Sequence, residues 1–257
     1  MSDTLQFTML TDAIGELVIS QPKKRNALSA AMWARLPVLL QDAAAKDGLK
    51  VLILRGAGDH FASGADISEF DTLYATEESS AKISHDIAAG MKALADFPLP
   101  TIANIRGACV GGGCGLALCC DIRFADNTSK FAITPAKLGL VYPFEDVQRL
   151  IETVGLANAK DILLSARLIP AKDAKKMGLV NFRLKSDELD DAVITYANAI
   201  AALSTHSTQI TKKMFAAYSA GQFGDTQESK AWFLDGFSSD DFKEGYTAFL
   251  EKRKPNF

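Results

Sequence analysis

The chain has 257 residues, of which 48% are hydrophobic, and its formal net charge is -3. This length and composition suit one domain with a substantial core, or such a domain with an appendage. The near-neutral charge predicts binding neither to nucleic acid nor to a membrane surface, and the sequence contains no apolar run of about 18 residues that would predict a transmembrane helix.

The first predicted elements alternate strands and helices. Residues 5–22 predict a β-hairpin around a turn, and Ser29 is a candidate N-cap for a helix to about Lys46 that Pro37 should kink. Residues 51–58 are a short apolar run typical of a buried strand. Further along the chain, the pattern predicts a loop turning into a helix (60–70), a helix (79–98), one strand (100–111), a helix opened by glycines, and two short strands (121–126 and 130–134).

The rest of the chain is predicted to be mostly helical. One helix, 170–180, has Pro170 at its start and Gly178 just past its end, and four helical segments follow Glu188. The change from mixed to all-helical sequence divides the chain into an α/β core, 1–186, and a helical region, 187–257.

The cysteines and histidines argue against a metal centre. All four cysteines lie in one apolar segment, which favours buried thiols in a reducing, cytoplasmic compartment; they are Cys109, Cys114, Cys119 and Cys120. The three histidines have no ligand-like spacing to them, so no metal is expected. The N-terminal MSDTLQFTML lacks the basic and apolar regions of a signal peptide.

Three consecutive glycines, Gly111–Gly113, begin a segment that otherwise reads as an apolar helix. Glycine costs about 1 kcal/mol relative to alanine inside a helix, so a close approach of a ligand to the backbone is one explanation. The phosphate-binding loop and the dinucleotide fingerprint both fail here, because their Lys-Ser/Thr pair and third glycine are absent. A second loop, Ser63–Asp66, also follows a buried strand. Two such loops can bring two N–H donors together as an oxyanion hole, or they are two ordinary turns; the residues alone leave both open.

Five segments, in this order and spacing, resemble the crotonase (enoyl-CoA hydratase/isomerase) superfamily over essentially the whole chain. They are FASGADISEF, IRGACVGGGCGLALCCDIRFAD, FAITPAKLGL, PAKDAKKMGLV and FLEKRKPNF. The resemblance implies an α/β fold, a spiral of ββα units with a helical C-terminal trimerisation region, and a homotrimer or homohexamer. It also implies an acyl-CoA substrate whose thioester enolate is stabilised by the backbone N–H groups of Ala65 and Gly112, with coenzyme A present only as part of the substrate and no other cofactor.

The sequence departs from the hydratases of that family at both catalytic glutamates. Their positions correspond here to Gly115 and Pro135, so a proton relay cannot be carried over. Tyr142 and Glu145 lie in the segment that the resemblance places beside the acyl group and are the candidate catalytic acids or bases. A tyrosine at this place resembles methylmalonyl-CoA decarboxylase, whose histidine in the GAD loop is replaced here by Ala65. For Tyr142 the alternative is a wall of the acyl pocket, and for Glu145 it is a first-turn carboxylate interacting with the helix dipole.

The resemblance also implies where coenzyme A binds. The candidate residues are a basic loop, the loop after the buried strand, and C-terminal residues supplied by a neighbouring subunit: Lys23, Lys24 and Arg25; Ser63, Asp66, Ile67 and Ser68; Phe249 and Lys252. For the basic loop the alternative is a solvated turn. His85 and Glu69, on the helical segments after the second loop, are further candidate bases, with a surface position as the alternative.

The sequence therefore predicts an acyl-CoA enzyme that performs an isomerase or decarboxylase-like reaction. One alternative is a hydratase that uses Glu145 in place of the missing acids. The other is a non-catalytic acyl-CoA-binding paralogue, because loss of both acids is also how such a protein would look.

Overall fold

A computed structural model describes residues 5–257, which form two sheets, a set of helices around them and a helical C-terminal region. The strands are β1 (Leu5–Met9), β2 (Ile14–Ile19), β3 (Val51–Gly56), β4 (Thr101–Ile105), β5 (Ala108–Val110), β6 (Ile122–Asp126), β7 (Lys130–Ala132), β8 (Ile169–Pro170) and β9 (Phe182–Leu184). The α-helices are α1 (Ala30–Ala44), α2 (Phe70–Leu73), α3 (Glu77–Ala95), α4 (Gly112–Cys119), α5 (Phe144–Ser165), α6 (Ala171–Met177), α7 (Leu189–Ala201), α8 (Thr205–Ser219), α9 (Gln227–Asp235) and α10 (Asp240–Leu250).

The larger sheet has the strand order β1-β2-β3-β4-β6-β9. The predicted hairpin is confirmed, since β1 and β2 pair antiparallel with Leu5 opposite Ile19. The remaining neighbours in this sheet are parallel. Helices α1, α3 and α4 cover one face and α7 covers the other, so β3 and β4 are mostly apolar, as strands buried on both faces should be.

Residues 100–111 differ from the prediction of one continuous strand. The chain bends at Gly107 (φ 52°), where a Cβ atom would collide with the Asp59 carbonyl oxygen. The segment is thereby divided into β4 in the large sheet and β5 in a second sheet with the order β5-β7-β8. The glycine triplet therefore follows β5, a strand of the small sheet, and not a strand of the large sheet.

Helix α1 begins at the predicted cap, where the Ser29 hydroxyl accepts a hydrogen bond from the Met32 N–H (3.3 Å). It continues through Pro37 as a single helix, and the predicted kink there stays a prediction. A proline inside a helix costs about 3 kcal/mol or more. Burial of Trp33, Leu36 and other side chains against the core offsets that cost.

Helix α4 lies in the centre of the core, and every residue from Gly113 to Cys119 is buried. All four cysteines are free and buried, as the sequence predicted, although Cys109 lies on β5 rather than on a helix. Burial raises the pKa of the Cys119 thiol to about 12, and it raises the pKa values of Cys109 and Cys120 as well. These thiols are neutral packing groups at physiological pH.

The four helices after Glu188 are confirmed, and α8, α9 and α10 bury little of their own surface. Lys212 joins α8 to the core by donating to the Leu99 carbonyl oxygen (2.9 Å) and the Asp121 carboxylate (2.7 Å). Most of the aromatic side chains of these helices are exposed; they include Phe215, Phe233, Phe237, Phe242, Tyr246 and Phe249. Across residues 5–257, no helix is both long enough and apolar enough to cross a membrane.

Candidate active site

The two glycine-containing loops meet in space. A Cβ atom at Gly64 would lie 3.1 Å from the Val110 carbonyl oxygen, 3.5 Å from the Gly112 nitrogen and 3.6 Å from the Gly111 Cα atom. Gly64 has φ 102°, a conformation that residues with a side chain rarely adopt. Glycine is therefore required here both by the backbone angle and by the closeness of the two loops.

The N–H of Ala65 faces away from Leu28, the residue with which Ala65 forms a parallel bridge. Ala65 forms a parallel bridge with Leu28, in which the Leu28 N–H donates to the Gly64 carbonyl oxygen (2.7 Å) and the Asp66 N–H donates to the Leu28 carbonyl oxygen (2.9 Å). In such a pairing, the groups of the middle residue face the other side. That N–H has no partner within residues 5–257, and the preceding residue, Gly64, lies against Gly112.

The second donor is the N–H of Gly112, the first residue of α4. The first four N–H groups of a helix have no acceptor within the helix, and the Gly112 N–H makes no other backbone hydrogen bond within residues 5–257. The turn before it is held by the Gly111 N–H, which donates to the Ala132 carbonyl oxygen (2.8 Å). The helix dipole also favours negative charge at this end, so Ala65 and Gly112 together form a site suited to an oxyanion.

Packing around α4 explains the other glycines of the triplet. A Cβ atom at Gly113 would overlap the Ala62 carbonyl oxygen, so only glycine fits there. Gly111 has φ 54°, which glycine tolerates best. A Cβ atom at Gly112 would lie 3.0 Å from Cζ2 of the buried Trp33 indole and 3.9 Å from the Gly64 Cα atom.

Gly115 lies one helical turn after Gly112 and faces two side chains. A Cβ atom there would lie 2.6 Å from Cε of Met91, 3.4 Å from its Sδ atom and 3.3 Å from the Tyr142 hydroxyl oxygen. The tyrosine hydroxyl therefore lies close to the position where a side chain at residue 115 would begin. The structure brings Tyr142 to the face of α4 that also carries Gly112.

The Tyr142 hydroxyl is buried and has no hydrogen-bond partner within residues 5–257. Burial, together with the nearby Asp146 carboxylate, raises the pKa of this hydroxyl well above 10. Asp146 is itself paired with Arg149 (2.7 Å). A buried hydroxyl is commonly paired, because leaving it without a partner costs about 1–3 kcal/mol, so this hydroxyl is a hydrogen-bond donor available to a bound group.

The second position of a missing glutamate, Pro135, lies in a loop next to the glycine turn. Pro135 follows β7 by three residues and begins a short 3-10 turn, Pro135–Leu138. Because the Ala132 carbonyl oxygen binds the Gly111 N–H, the start of this loop lies beside the glycine turn. Neither Gly115 nor Pro135 offers a side chain that could carry a proton.

Glu145 is placed differently from Tyr142. It is exposed, in the first turn of α5, and it lines a groove of about 520 Å³ together with Lys92, Arg149 and residues from the carboxyl end of α4. The donors Ala65 and Gly112 lie at the amino end of the same helix. Its catalytic role stays a prediction, and its position fits the first-turn alternative.

Hydrogen bonds join the two loops that carry the candidate coenzyme A residues. Lys24 donates from Nζ to the Asp66 carboxylate (2.5 Å) and to the Ser68 hydroxyl (2.9 Å). Burial alone would raise the pKa of Asp66, but the hydrogen bonds from Lys24 and Ser68 hold it below its usual value. The Ser63 hydroxyl donates to the Lys24 carbonyl oxygen (3.0 Å), so the basic loop is fixed against the loop that carries Ala65.

The remaining candidate binding residues are exposed. Lys23, Arg25 and Ile67 lie on the surface of the same two loops. Phe249 and Lys252 are exposed at the end of the chain, and the Phe249 side chain is 82% accessible.

Glu69 and His85, the two further candidate bases, lie at a helix start and on the surface. The Glu69 carboxylate accepts a hydrogen bond from the Ala30 N–H (2.8 Å) at the start of α1, which is a capping role. The side chain of His85 is 81% exposed on α3, which agrees with the surface alternative.

Three side chains around the site were missed by the sequence reasoning. Trp33 and Met91 lie against α4, and neither carries a motif that would single it out. Asn26 is fully buried and donates to the carbonyl oxygens of Ala57 (2.9 Å) and His60 (2.6 Å), which anchors the basic loop. An asparagine within a charged loop was the available signal for that anchor.

The chain is similar to known proteins over nearly its whole length. The sequence model of the family described as enoyl-CoA hydratase/isomerase matches residues 10–257. A Bacillus subtilis protein named "Probable enoyl-CoA hydratase" is 35% identical over 249 residues, covering 95% of each chain. The peroxisomal Delta(3,5)-Delta(2,4)-dienoyl-CoA isomerase of Arabidopsis thaliana is 34% identical, covering 95% of this chain and 92% of its own. The crystal structure of an enoyl-CoA hydratase/isomerase family protein from Hyphomonas neptunium, 41% identical, superposes with a TM-score of 0.96 over 100% of this chain and 98% of that chain.

Proposed function

The chain belongs to the enoyl-CoA hydratase/isomerase family, whose members act on acyl-CoA thioesters, and from this premise we propose that it forms and stabilises the enolate of an acyl-CoA. In the proposed complex, the thioester oxygen accepts hydrogen bonds from the N–H groups of Ala65 and Gly112. The observation that carries the proposal is the meeting of two loops at two backbone donors without partners. Donors placed where negative charge develops are commonly the largest single contribution to such catalysis.

The reaction that follows enolate formation is proposed to be an isomerase or decarboxylase-like step. Addition of water needs groups that hold the water and move its protons, and neither Gly115 nor Pro135 can do so. Loss of carbon dioxide from the acyl group leaves the electrons of the broken C–C bond in the enolate, which then needs a single proton donor, whereas moving a double bond also needs a group that first removes a proton. The dienoyl-CoA isomerase among the relatives supports the isomerase reading.

Tyr142 is the proposed proton donor. Its buried hydroxyl faces the same side of α4 as the Gly112 donor and has no partner in the described part of the chain. Because its pKa is raised by burial, the hydroxyl remains protonated at neutral pH and can donate to the acyl group.

The variant Tyr142→Phe should therefore lose activity without losing stability. Removal of a positioned acid commonly costs about 10²–10⁴-fold in rate, whereas removal of a buried hydroxyl that has no partner is neutral or stabilising. The measurement is turnover of an acyl-CoA panel by mass spectrometry, beside thermal unfolding of both proteins.

The pH profile supplies the control for this role. A protonated hydroxyl with a raised pKa predicts that the activity dependent on Tyr142 shows no loss between pH 7 and about 9, where an ordinary tyrosine of pKa about 10 would begin to ionise. Unchanged turnover in Tyr142→Phe would reduce this residue to a wall of the pocket.

Two other functions are kept as alternatives. A hydratase using Glu145 would need that exposed carboxylate to reach the substrate. A non-catalytic paralogue would bind acyl-CoA without forming an enolate. Exchange of the acyl-CoA α-proton in heavy water, followed by mass spectrometry, separates the paralogue from an enzyme: exchange supports a working enolate site, and binding without exchange supports the paralogue.

Coenzyme A is proposed to bind along the two tied loops. Lys23, Lys24 and Arg25 offer positive charge for its phosphates, and Ser63, Asp66, Ile67 and Ser68 shape the adjoining surface. The Lys24–Asp66 ion pair supports this proposal because it holds the basic loop at the edge of the site. Phe249 and Lys252 would add contacts from a neighbouring subunit.

The chain is further proposed to form a homotrimer or a dimer of trimers. Helices α8–α10 expose more aromatic surface than a monomer usually leaves in water, and packing this surface against symmetry-related copies would bury it. Light scattering at micromolar concentration should give the mass of three or six chains, and a monomer would contradict the proposal.

A further inference from the structure

The space beside Gly115 is closed by the side chain of Met91. Met91 lies on α3 and is only 4% exposed. Its Cε atom lies 2.6 Å from where a Cβ atom of residue 115 would be, and its Sδ atom lies 3.7 Å from the Cys119 sulfur. The side chain therefore fills the gap between α3 and α4 over more than one turn of α4.

This gap lies a short way along α4 from the proposed oxyanion donor. Gly115 is three residues after Gly112, which corresponds to about 4.5 Å along the helix axis. An acyl group whose thioester oxygen is held at Gly112 and whose carbons run along this face meets Met91, and the Tyr142 hydroxyl beside it, within a few carbon atoms.

We propose that Met91 is the specificity-determining residue that restricts the acyl group to a short chain. The inference rests on the proposed function and names the substrate class of that same site: short-chain acyl-CoA thioesters. Methionine suits this position because its unbranched side chain fills an irregular gap with apolar atoms. Removing those atoms leaves space lined by α3 and α4, into which a longer chain can extend.

The test is α-proton exchange in heavy water across saturated straight-chain acyl-CoA thioesters of four, eight and twelve carbons. Differences of one methylene in an apolar pocket change kcat/KM by about 10–200-fold. Wild type should therefore favour the four-carbon over the eight-carbon substrate by at least about tenfold. Met91→Ala should shift this ratio by about tenfold or more towards the longer chain.

Three further variants distinguish a change in chain-length preference from a general loss of protein stability. Met91→Leu conserves volume and should leave the ratio unchanged. Met177→Ala shortens another methionine that packs against the same core, on α6 away from α4, and should also leave it unchanged. Gly115→Ala adds an atom from the opposite side of the gap and should shift the ratio further towards the shortest substrate.

The outcomes separate this inference from the proposed function. Equal wild-type exchange of all chain lengths, or a Met91→Ala variant whose ratio does not move, would overturn the role of Met91 and leave the enolate site standing. Absence of exchange with every acyl-CoA in wild type would contradict the proposed function itself.

Discussion

Replacing Gly112 by valine should lower the rate of enolate formation by at least about a hundredfold, the usual cost of losing one oxyanion-hole donor. A Cβ atom at this position already lies 3.0 Å from Cζ2 of Trp33, and the two methyl groups of valine need still more room. The indole cannot move far because it is buried in the core. The valine side chain is therefore forced towards the place where the thioester oxygen would reach the Gly112 N–H.

The measurement is acyl-CoA α-proton exchange, with circular dichroism to verify the fold. Gly236→Val is a matched control, because Gly236 has a helical backbone and no atom within 4 Å of its Cβ position. The control should exchange at the wild-type rate. Wild-type exchange by Gly112→Val would show that the oxyanion hole is assigned to the wrong residues.

Wild-type protein should hydrate crotonyl-CoA at no more than a trace rate. Each missing acid–base group is commonly worth about 10²–10⁴-fold, and both glutamate positions lack a usable side chain. The contacts at Gly115 add a steric reason, since Met91 and the Tyr142 hydroxyl occupy the volume that a glutamate side chain would enter.

Restoring the glutamates should raise hydration only when that volume is opened. The informative comparison is Gly115→Glu with Pro135→Glu, alone and combined with Met91→Ala, beside Glu145→Gln. Weak wild-type hydration that improves in the restored variants supports the present assignment. Vigorous wild-type hydration that Glu145→Gln abolishes would make Glu145 the catalytic acid or base.

The elements predicted from the sequence are largely those of the structure, because their signals are local. The Ser29 cap, the Pro170 and Gly178 helix limits and the apolar run of β3 each depend on neighbouring residues. The crotonase-like α/β fold with a helical C-terminal region is confirmed by close structural matches, including the 0.96 TM-score superposition.

The main difference from the predicted elements arises where a distant contact decides the local structure. The strand predicted at 100–111 breaks because Gly107 packs against the Asp59 carbonyl oxygen, which lies far away in sequence. Such a contact cannot be read from a hydrophobic pattern.

The site was predictable only in part for the same reason. The glycine loops pointed to backbone donors, and their meeting is now visible in the contacts of Gly64. Tyr142 and Glu145, three residues apart, were both candidates from the sequence. The packing of α5 separates them, since it buries the tyrosine hydroxyl against Gly115 and leaves the glutamate exposed.

The central claim is that the Ala65 N–H stabilises an enolate, and removing that one hydrogen atom tests it most directly. Replacing Ala65 by lactic acid exchanges its amide for an ester and deletes the donor while keeping the methyl group. The N–H has no partner within residues 5–257, so the fold loses no donor that it uses; the only structural change is that the Gly64 carbonyl, now an ester, accepts the Leu28 N–H (2.7 Å) less strongly. The same replacement at Ala57, whose N–H donates to the Ile19 carbonyl oxygen (2.8 Å), removes an ordinary structural hydrogen bond of about 1 kcal/mol.

The α-proton exchange rate of a four-carbon acyl-CoA in heavy water, measured beside thermal unfolding, compares the two esters with wild type. The ester at Ala65 should slow exchange by about 10²–10³-fold while lowering the unfolding temperature no more than the ester at Ala57 does. The ester at Ala57 should lower the unfolding temperature and leave exchange unchanged. Wild-type exchange by the Ala65 ester would contradict the account.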